Sequence, residues 1–380
     1  MPVMFFISLG LIIVILIVYT IYKVRQFKSN IGRPSLSFSV ADLKQKEDAF
    51  LSARLQKTAT EKAAVLEACP ALREVHYVYV AEELFPVSHL AVDDIVQKTL
   101  EQKASGLPPV SAASLTLLDL LQDPESNPGE ITSFVSTNPV FSAKILHTIN
   151  SVYFNLPQRV TSVGRAITLL GYNNVRSLVF EDILSNTLPS IRDTHRELYV
   201  NMWTHSAVVS ACSGYLGKSL FRLSEYTLGT IGLLHDIGKY FFRFLEKRET
   251  PVADLPTVIE EEKQYGMNHA IIGAIVAHKW QLPDIVTGAI EHHHSPSFFP
   301  PDRIPDACLK ESLVICLADL VCKVLGYIGQ GGDLLPVRDE YYKRYGLKND
   351  LVEIVTPALI RDIDKARQTV QSYMSANPAQ

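Results

Sequence analysis

The sequence predicts an all-α protein held behind a single membrane-spanning helix. Two observations carry that prediction. The first twenty-odd residues form one apolar run, and everything after residue 110 reads as helix after helix with no credible set of strands.

Val3 through Tyr22 is apolar apart from Ser8, Gly10 and Thr20. As a helix that run is about 30 Å long, the thickness of a bilayer's hydrocarbon core. A secretory signal would need a basic segment before it and a small-residue cleavage site after it, and neither is present. Lys23, Arg25, Lys28 and Arg33 follow the run instead, which by the positive-inside rule places the rest of the chain on the cytoplasmic side. The expectation is a single-pass inner (cytoplasmic) membrane protein. Its anchor is residues 1–28, with the helix at about 3–22, and its C-terminal domain lies in the cytoplasm.

Residues 29–104 read as a linker and a helical membrane-proximal segment. Pro34 breaks the stretch from Gly32 to Ser39, and Ala41 to Ala68 is rich in Ala, Lys, Gln and Glu with apolar residues at helical spacing. Leu72 to Val80 alternates well enough for a strand but is short and isolated, so its type stays open. Gly106, Pro108 and Pro109 then mark a domain boundary at 105.

Beyond it the helices follow in order. Ser111 to Leu121 has apolar spacings of three and four, and "QDPESNPG" ends it. Glu130 to Phe134 opens a second helix. Asn138 is placed to cap a third, with Pro139 at its first position. Thr161 to Leu170 and Val175 to Leu184 flank "GYNN", read as a turn.

At 47% hydrophobic the chain can fill a large core, and its net charge of −4 gives no reason to expect a nucleic-acid binder. Cys69, Cys212, Cys308, Cys316 and Cys322 are scattered without a CxxC, which fits a reducing compartment. Cys316 and Cys322 read as packing residues, as do Trp203 and Trp280. His147 reads as a core or interface histidine, and His76, His89 and His195 as surface or loop residues.

The chemistry lies elsewhere. His205 sits in "NMWTHSAVVS", His235 and Asp236 in "IGLLHDIGKY", and His269 in "YGMNHAIIGAIVAHKWQLP". His292, His293 and His294 stand at the end of a helix read as stopped by Pro296, and Asp319 lies in the apolar helix "SLVICLADLVCKVLG". Alone, each has a bland reading as a bonded core group or a solvated helix end. Together, imidazoles and carboxylates on several apolar helices are what a buried metal site requires, because burying so many polar groups without a partner costs several kcal/mol, about 2–7 for each neutral group. Nitrogen and oxygen donors without thiolate suit one or two divalent ions of Mn, Fe, Mg or Zn.

The order His, His-Asp, His, paired His, Asp resembles the HD superfamily of metal-dependent phosphohydrolases. The segment from "GLPPVSAASL" to "NNVRSLVF" narrows the resemblance to the HDOD family of bacterial signalling output domains. Its markers are Pro108/Pro109, Asn138-Pro139, Asn150-Ser151, Ala166-Ile167 and Leu170-Gly171. The resemblance implies an HD-type helical bundle over 105–326, followed by a C-terminal helical extension over 327–380. It implies metal ligands at His205, His235, Asp236, His269, His293 and Asp319, with His294 a further metal or supporting ligand and His292 the spare of the triplet. Asp236 would bridge two ions, Lys239 could contact a phosphate, and a metal-activated water would be the nucleophile of any hydrolysis.

Two departures bear on activity. The related HD-GYP phosphodiesterases carry Gly-Tyr-Pro after the paired histidines, where this chain has "SPSFFPPDR"; and Asn201 stands where those enzymes can have a glutamate. The expectation is therefore a membrane-tethered signalling protein that binds metal and acts through protein contacts. The alternative is an active phosphohydrolase or phosphodiesterase on a nucleotide or other phosphoester.

Overall fold

Helix boundaries in this protein are set largely by side-chain caps. The computed structural model describes residues 110–376 apart from 124, 188–195, 247–256, 328–333 and 349–350. The expected anchor, the membrane-proximal segment, Leu72 to Val80, Cys69, His76, His89 and His195 lie outside the described residues. Among the described residues no helix is long and apolar enough to cross a membrane, and there is no strand.

Helix α1 (Ala112–Gln122) begins where the Ser111 hydroxyl accepts from the Ser114 N–H. Asn127 caps α2 (Pro128–Thr137), so "SNPG" starts a helix as well as ending one. Asn138 caps α3 (Pro139–Ile149) by accepting from the Val140 and Phe141 N–H groups, with Pro139 in the first turn as the sequence predicts. Helix α4 (Val163–Leu170) ends at Gly171, and α5 (Tyr172–Thr187) starts at once. Here the sequence reading needs correction. Only Gly171, at φ +79°, makes the turn, while Tyr172, Asn173 and Asn174 are already helical.

The centre of the body is α6 (Arg196–Leu216), the longest described helix, against which α7 (Glu225–Leu234), α13 (Leu309–Val324) and α16 (Pro357–Ala376) all pack. Trp203 is fully buried on α6, donates to the Ser177 hydroxyl at 2.9 Å, and meets Tyr373 of α16 edge-on at 5.4 Å. Trp280 is buried as well, so both tryptophans belong to the core, as predicted. His147 does not: it is exposed on α3, because the buried stripe of that helix runs through Phe141, Ile145, Thr148 and Ile149.

The remaining elements are α8 (Ile237–Glu246), α9 (Val258–Tyr265), α10 (His269–Lys279), α11 (Asp284–Glu291), α12 (Ser295–Phe298), α14 (Asp339–Tyr345) and α15 (Leu351–Ile354). Helices α8 and α10 approach so closely that glycine is required at their crossing. A Cβ on Gly238 would overlap the His269 carbonyl and lie 2.8 Å from the Gly273 nitrogen. That crossing explains the glycine of "HDIGK", and it brings His269 beside Asp236.

A polar cluster ties α1, α3 and α5 together. Lys144 bonds Glu181 and Asp182 at 2.8 Å each, and Asp182 also accepts from Ser114 at 3.0 Å and Asn186 at 3.2 Å.

Candidate metal centre

The seven residues singled out as metal ligands come from five places in the fold and meet in one buried cluster. His205 projects from α6. His235 and Asp236 form the turn between α7 and α8, His269 is the first residue of α10, and Asp319 lies in the middle of α13. His293 and His294 occupy the turn between α11 and α12. That helix stops at Glu291, before the histidines; Pro296 belongs to the first turn of α12 and stops nothing.

Their ring nitrogens are oriented from behind. Nδ1 of His205 lies 2.7 Å from the Tyr327 carbonyl, Nδ1 of His235 2.7 Å from that of Gly232, and Nδ1 of His293 2.6 Å from that of Ile290. His269 uses a carboxylate instead, with Nδ1 2.6 Å from Glu261 Oε2. Carbonyl and carboxylate oxygens only accept, so each Nδ1 carries the proton and, in the neutral ring, each Nε2 presents a lone pair.

Those lone pairs converge on oxygens. His205 Nε2 is 3.1 Å from Asp319 Oδ1, His269 Nε2 is 3.0 Å from Asp236 Oδ1, and His269 Nε2 is 2.9 Å from His294 Nε2. His235 and His293 Nε2 stand 3.6 and 3.9 Å from Asp236 Oδ1. Neighbouring ligands on an octahedral ion at about 2.1 Å would be about 3 Å apart, so the shortest separations suit one coordination sphere. Nε2 of His205, His235 and His293, and Oδ1 of Asp236 and Asp319, are buried without any hydrogen-bond partner. Five orphaned acceptors gathered in one buried cluster could hold a cation, and the donor set fits a divalent one. Two groups can hold an ion: His205, His235 and Asp236 form one, and Asp236, His269, His293 and His294 the other. Asp236 belongs to both.

The electrostatics keep the donors ready. Burial pushes His235 down to about 4, against the pull of Asp236 and Asp319, and takes His293 and His294 well below the ordinary histidine value. Burial alone would raise Asp236 and Asp319. Lys239 and Lys323, with the facing histidines, outweigh it and hold both carboxyls well below the usual range. His269 goes the other way: burial lowers it, but Glu261 and Asp236 together leave it raised. Each ligand carboxylate keeps one lysine, Lys239 on Asp236 Oδ2 and Lys323 on Asp319 Oδ2, both at 2.8 Å. Burial drives the nearby Cys316 thiol up to about 12, and Cys316 belongs to neither group.

His292 is half-buried beside Ser295 and belongs to neither group. Glu261 and Lys323 are the residues that sequence reading missed. Lys323 had a visible signal, four residues after Asp319 on one helix face. Glu261 is the middle of three glutamates on a polar helix and had none.

The family model described as HDOD domain matches residues 107–296. An uncharacterized protein of Treponema pallidum is 22% identical over 62% of this chain, and the chain spans about half that relative's length, 48%. Among solved structures, a candidate signal transduction protein from Marinobacter aquaeolei VT8 is 22% identical with a TM-score of 0.57, over 72% of this chain and 61% of that one. An HDOD domain protein of unknown function from Geobacter sulfurreducens is 20% identical with a TM-score of 0.52, over 74% and 99%. A candidate phosphohydrolase from Shewanella amazonensis SB2B is 19% identical with a TM-score of 0.50, over 72% and 97%. At these identities the likeness is one of fold.

Proposed function

The chain belongs to the HDOD domain family, and from that premise we propose that it is a membrane-tethered signalling output protein whose buried divalent-metal centre organises a surface for protein partners. The observation that carries the metal is the set of five buried, unpartnered acceptor atoms converging from α6, the α7–α8 turn, the α11–α12 turn and α13. An ion there would cross-link helices far apart in sequence and so report its own presence in the packing of the whole bundle. The observation that favours contact over turnover is burial. His205, His235, Asp236, His269, His293, His294 and Asp319 are each no more than 5% exposed, room for an ion but a poor seat for a dinucleotide. The tether rests on the apolar run from Val3 to Tyr22 and the basic residues after it.

The second reading, a phosphohydrolase, is favoured by the fullness of the donor set. His205, His235 and Asp236 would hold one ion, with Asp319 beside His205, and Asp236, His269, His293 and His294 another. Such ions supply Lewis acidity and lower the pKa of water. This chain's own residues would supply the rest: the main-chain carbonyls and Glu261 hold the imidazole tautomers, and Lys239 fixes the outer oxygen of Asp236. Lys239 is committed to that bond, so contact with a phosphate would require it to turn away from Asp236.

The two readings separate in one assay. Metal-loaded full-length protein is offered bis(p-nitrophenyl) phosphate and cyclic dinucleotides, beside a His235→Ala/Asp236→Ala control. Turnover no greater than that of the control supports the contact reading. Turnover that the control lacks establishes the enzyme.

A further inference from the structure

One ligand histidine of the centre is held by a side chain where others are held by main-chain carbonyls. Glu261, on α9, is 1% exposed, and its Oε2 accepts two hydrogen bonds from the same residue: the main-chain N–H of His269 at 2.8 Å and its Nδ1–H at 2.6 Å. The opposite ring nitrogen of His269 faces Asp236 Oδ1 at 3.0 Å. We propose that Glu261 is the positioning residue of the metal centre, clamping the His269 ring from main chain and side chain at once so that Nε2 is held facing Asp236, with which it would hold an ion. This rests on the metal-binding reading and deepens it.

Two features single Glu261 out. His205, His235 and His293 are oriented by main-chain carbonyls, which no substitution removes. His269 is oriented by a charged side chain, whose hydrogen bonds are shorter and about twice as strong as neutral ones. The neighbouring Glu262 is engaged differently. It accepts from Asn268 Nδ2 at 2.6 Å, and Asn268 in turn caps α10 through the Ala270 and Ile271 N–H groups. One glutamate therefore supports the helix start and the other the ligand. Helix α9 is itself fixed in register by a capping box between Thr257 and Glu260. Glu260, Glu261 and Glu262 thus have three separate partners, and only Glu261 touches a ligand ring.

The test uses the purified full chain, stripped with EDTA and titrated with Mn(II), the free ion being read by electron paramagnetic resonance. Co(II) absorption spectra report ligand geometry separately. Glu261→Ala is expected to weaken Mn(II) binding by about 10- to 100-fold and to alter the Co(II) spectrum, and Glu261→Gln, which keeps the acceptor but loses the charge, to fall between it and the native protein. Glu262→Ala is expected to bind within twofold of native. Native affinity and an unchanged Co(II) spectrum in folded Glu261→Ala would overturn the proposal. Should that variant not fold, the same result in Glu261→Gln would overturn it. If native protein binds neither Mn(II) nor Co(II), the metal reading itself fails and the Glu261 role goes with it. A loss confined to the Glu261 variants leaves that reading standing and supports the clamp.

Discussion

Two buried polar clusters lie in this helical body, and they are finished differently. In the one around Lys144, the ammonium meets Glu181 and Asp182, and the serine and asparagine hydrogens fill the remaining oxygen of Asp182. None of these four partners' side-chain atoms is left orphaned. In the cluster around Asp236, two lysines are likewise paired with two carboxylates, yet the inner oxygens and three imidazole nitrogens are left without a hydrogen-bond partner. The first cluster is complete as protein and serves to hold α1, α3 and α5. The second keeps open acceptors and could hold a metal ion. The lesson is that burial of charge is no sign of function until its satisfaction is counted atom by atom.

The sharpest way to break the comparison is to remove one charge from the closed cluster. Lys144→Met leaves two carboxylates facing apolar packing and is expected to cost about 3 kcal/mol in urea unfolding, by the same amount with or without metal. Chelation should act on the open cluster alone. With free metal at a hundred times its dissociation constant, EDTA is expected to remove about 2.7 kcal/mol of stability from the native protein and none from His235→Ala/Asp236→Ala. Gly238→Ala connects packing to the site. Its Cβ overlaps the His269 carbonyl, so a loss of about 2 kcal/mol in unfolding should come with weaker metal binding, because α10 has to shift to make room.

The smallest expected effect is a pH dependence of the metal-free protein. The folded chain holds His235 at about 4, with His293 and His294 also depressed, against about 6.5 for histidine in the unfolded chain. Below 6.5 the unfolded state therefore binds protons that the folded state refuses. Stability contributed by these neutral rings is present above that pH and is lost as pH falls from 6.5 toward 4. Thermal unfolding in EDTA across that range checks the direction, and His293→Gln should flatten the slope.

Much of this was legible in the sequence because the informative residues contradicted their surroundings. His205 and Asp319 are polar in apolar helices, and His235 with Asp236 interrupts an apolar run, so burial and partnership followed from local context. The cap at Asn138 was equally local. What could not be read depended on which side of an element faced inward. Glu261 is chemically indistinguishable from Glu260 and Glu262, and only the placement of α9 turns it toward His269. His147 sits among apolar residues but a third of a turn off the buried stripe. "GYNN" carries turn residues throughout, yet one left-handed glycine was enough, and the asparagines went into the helix.

The most direct test of the whole account is the metal content of the purified full-length protein, measured by inductively coupled plasma mass spectrometry after exposure to Mn, Fe, Mg and Zn salts and desalting. The expected result is one or two divalent ions per chain in the native protein and none in His235→Ala/Asp236→Ala. Folded native protein that retains no stoichiometric ion under any of these conditions would contradict it.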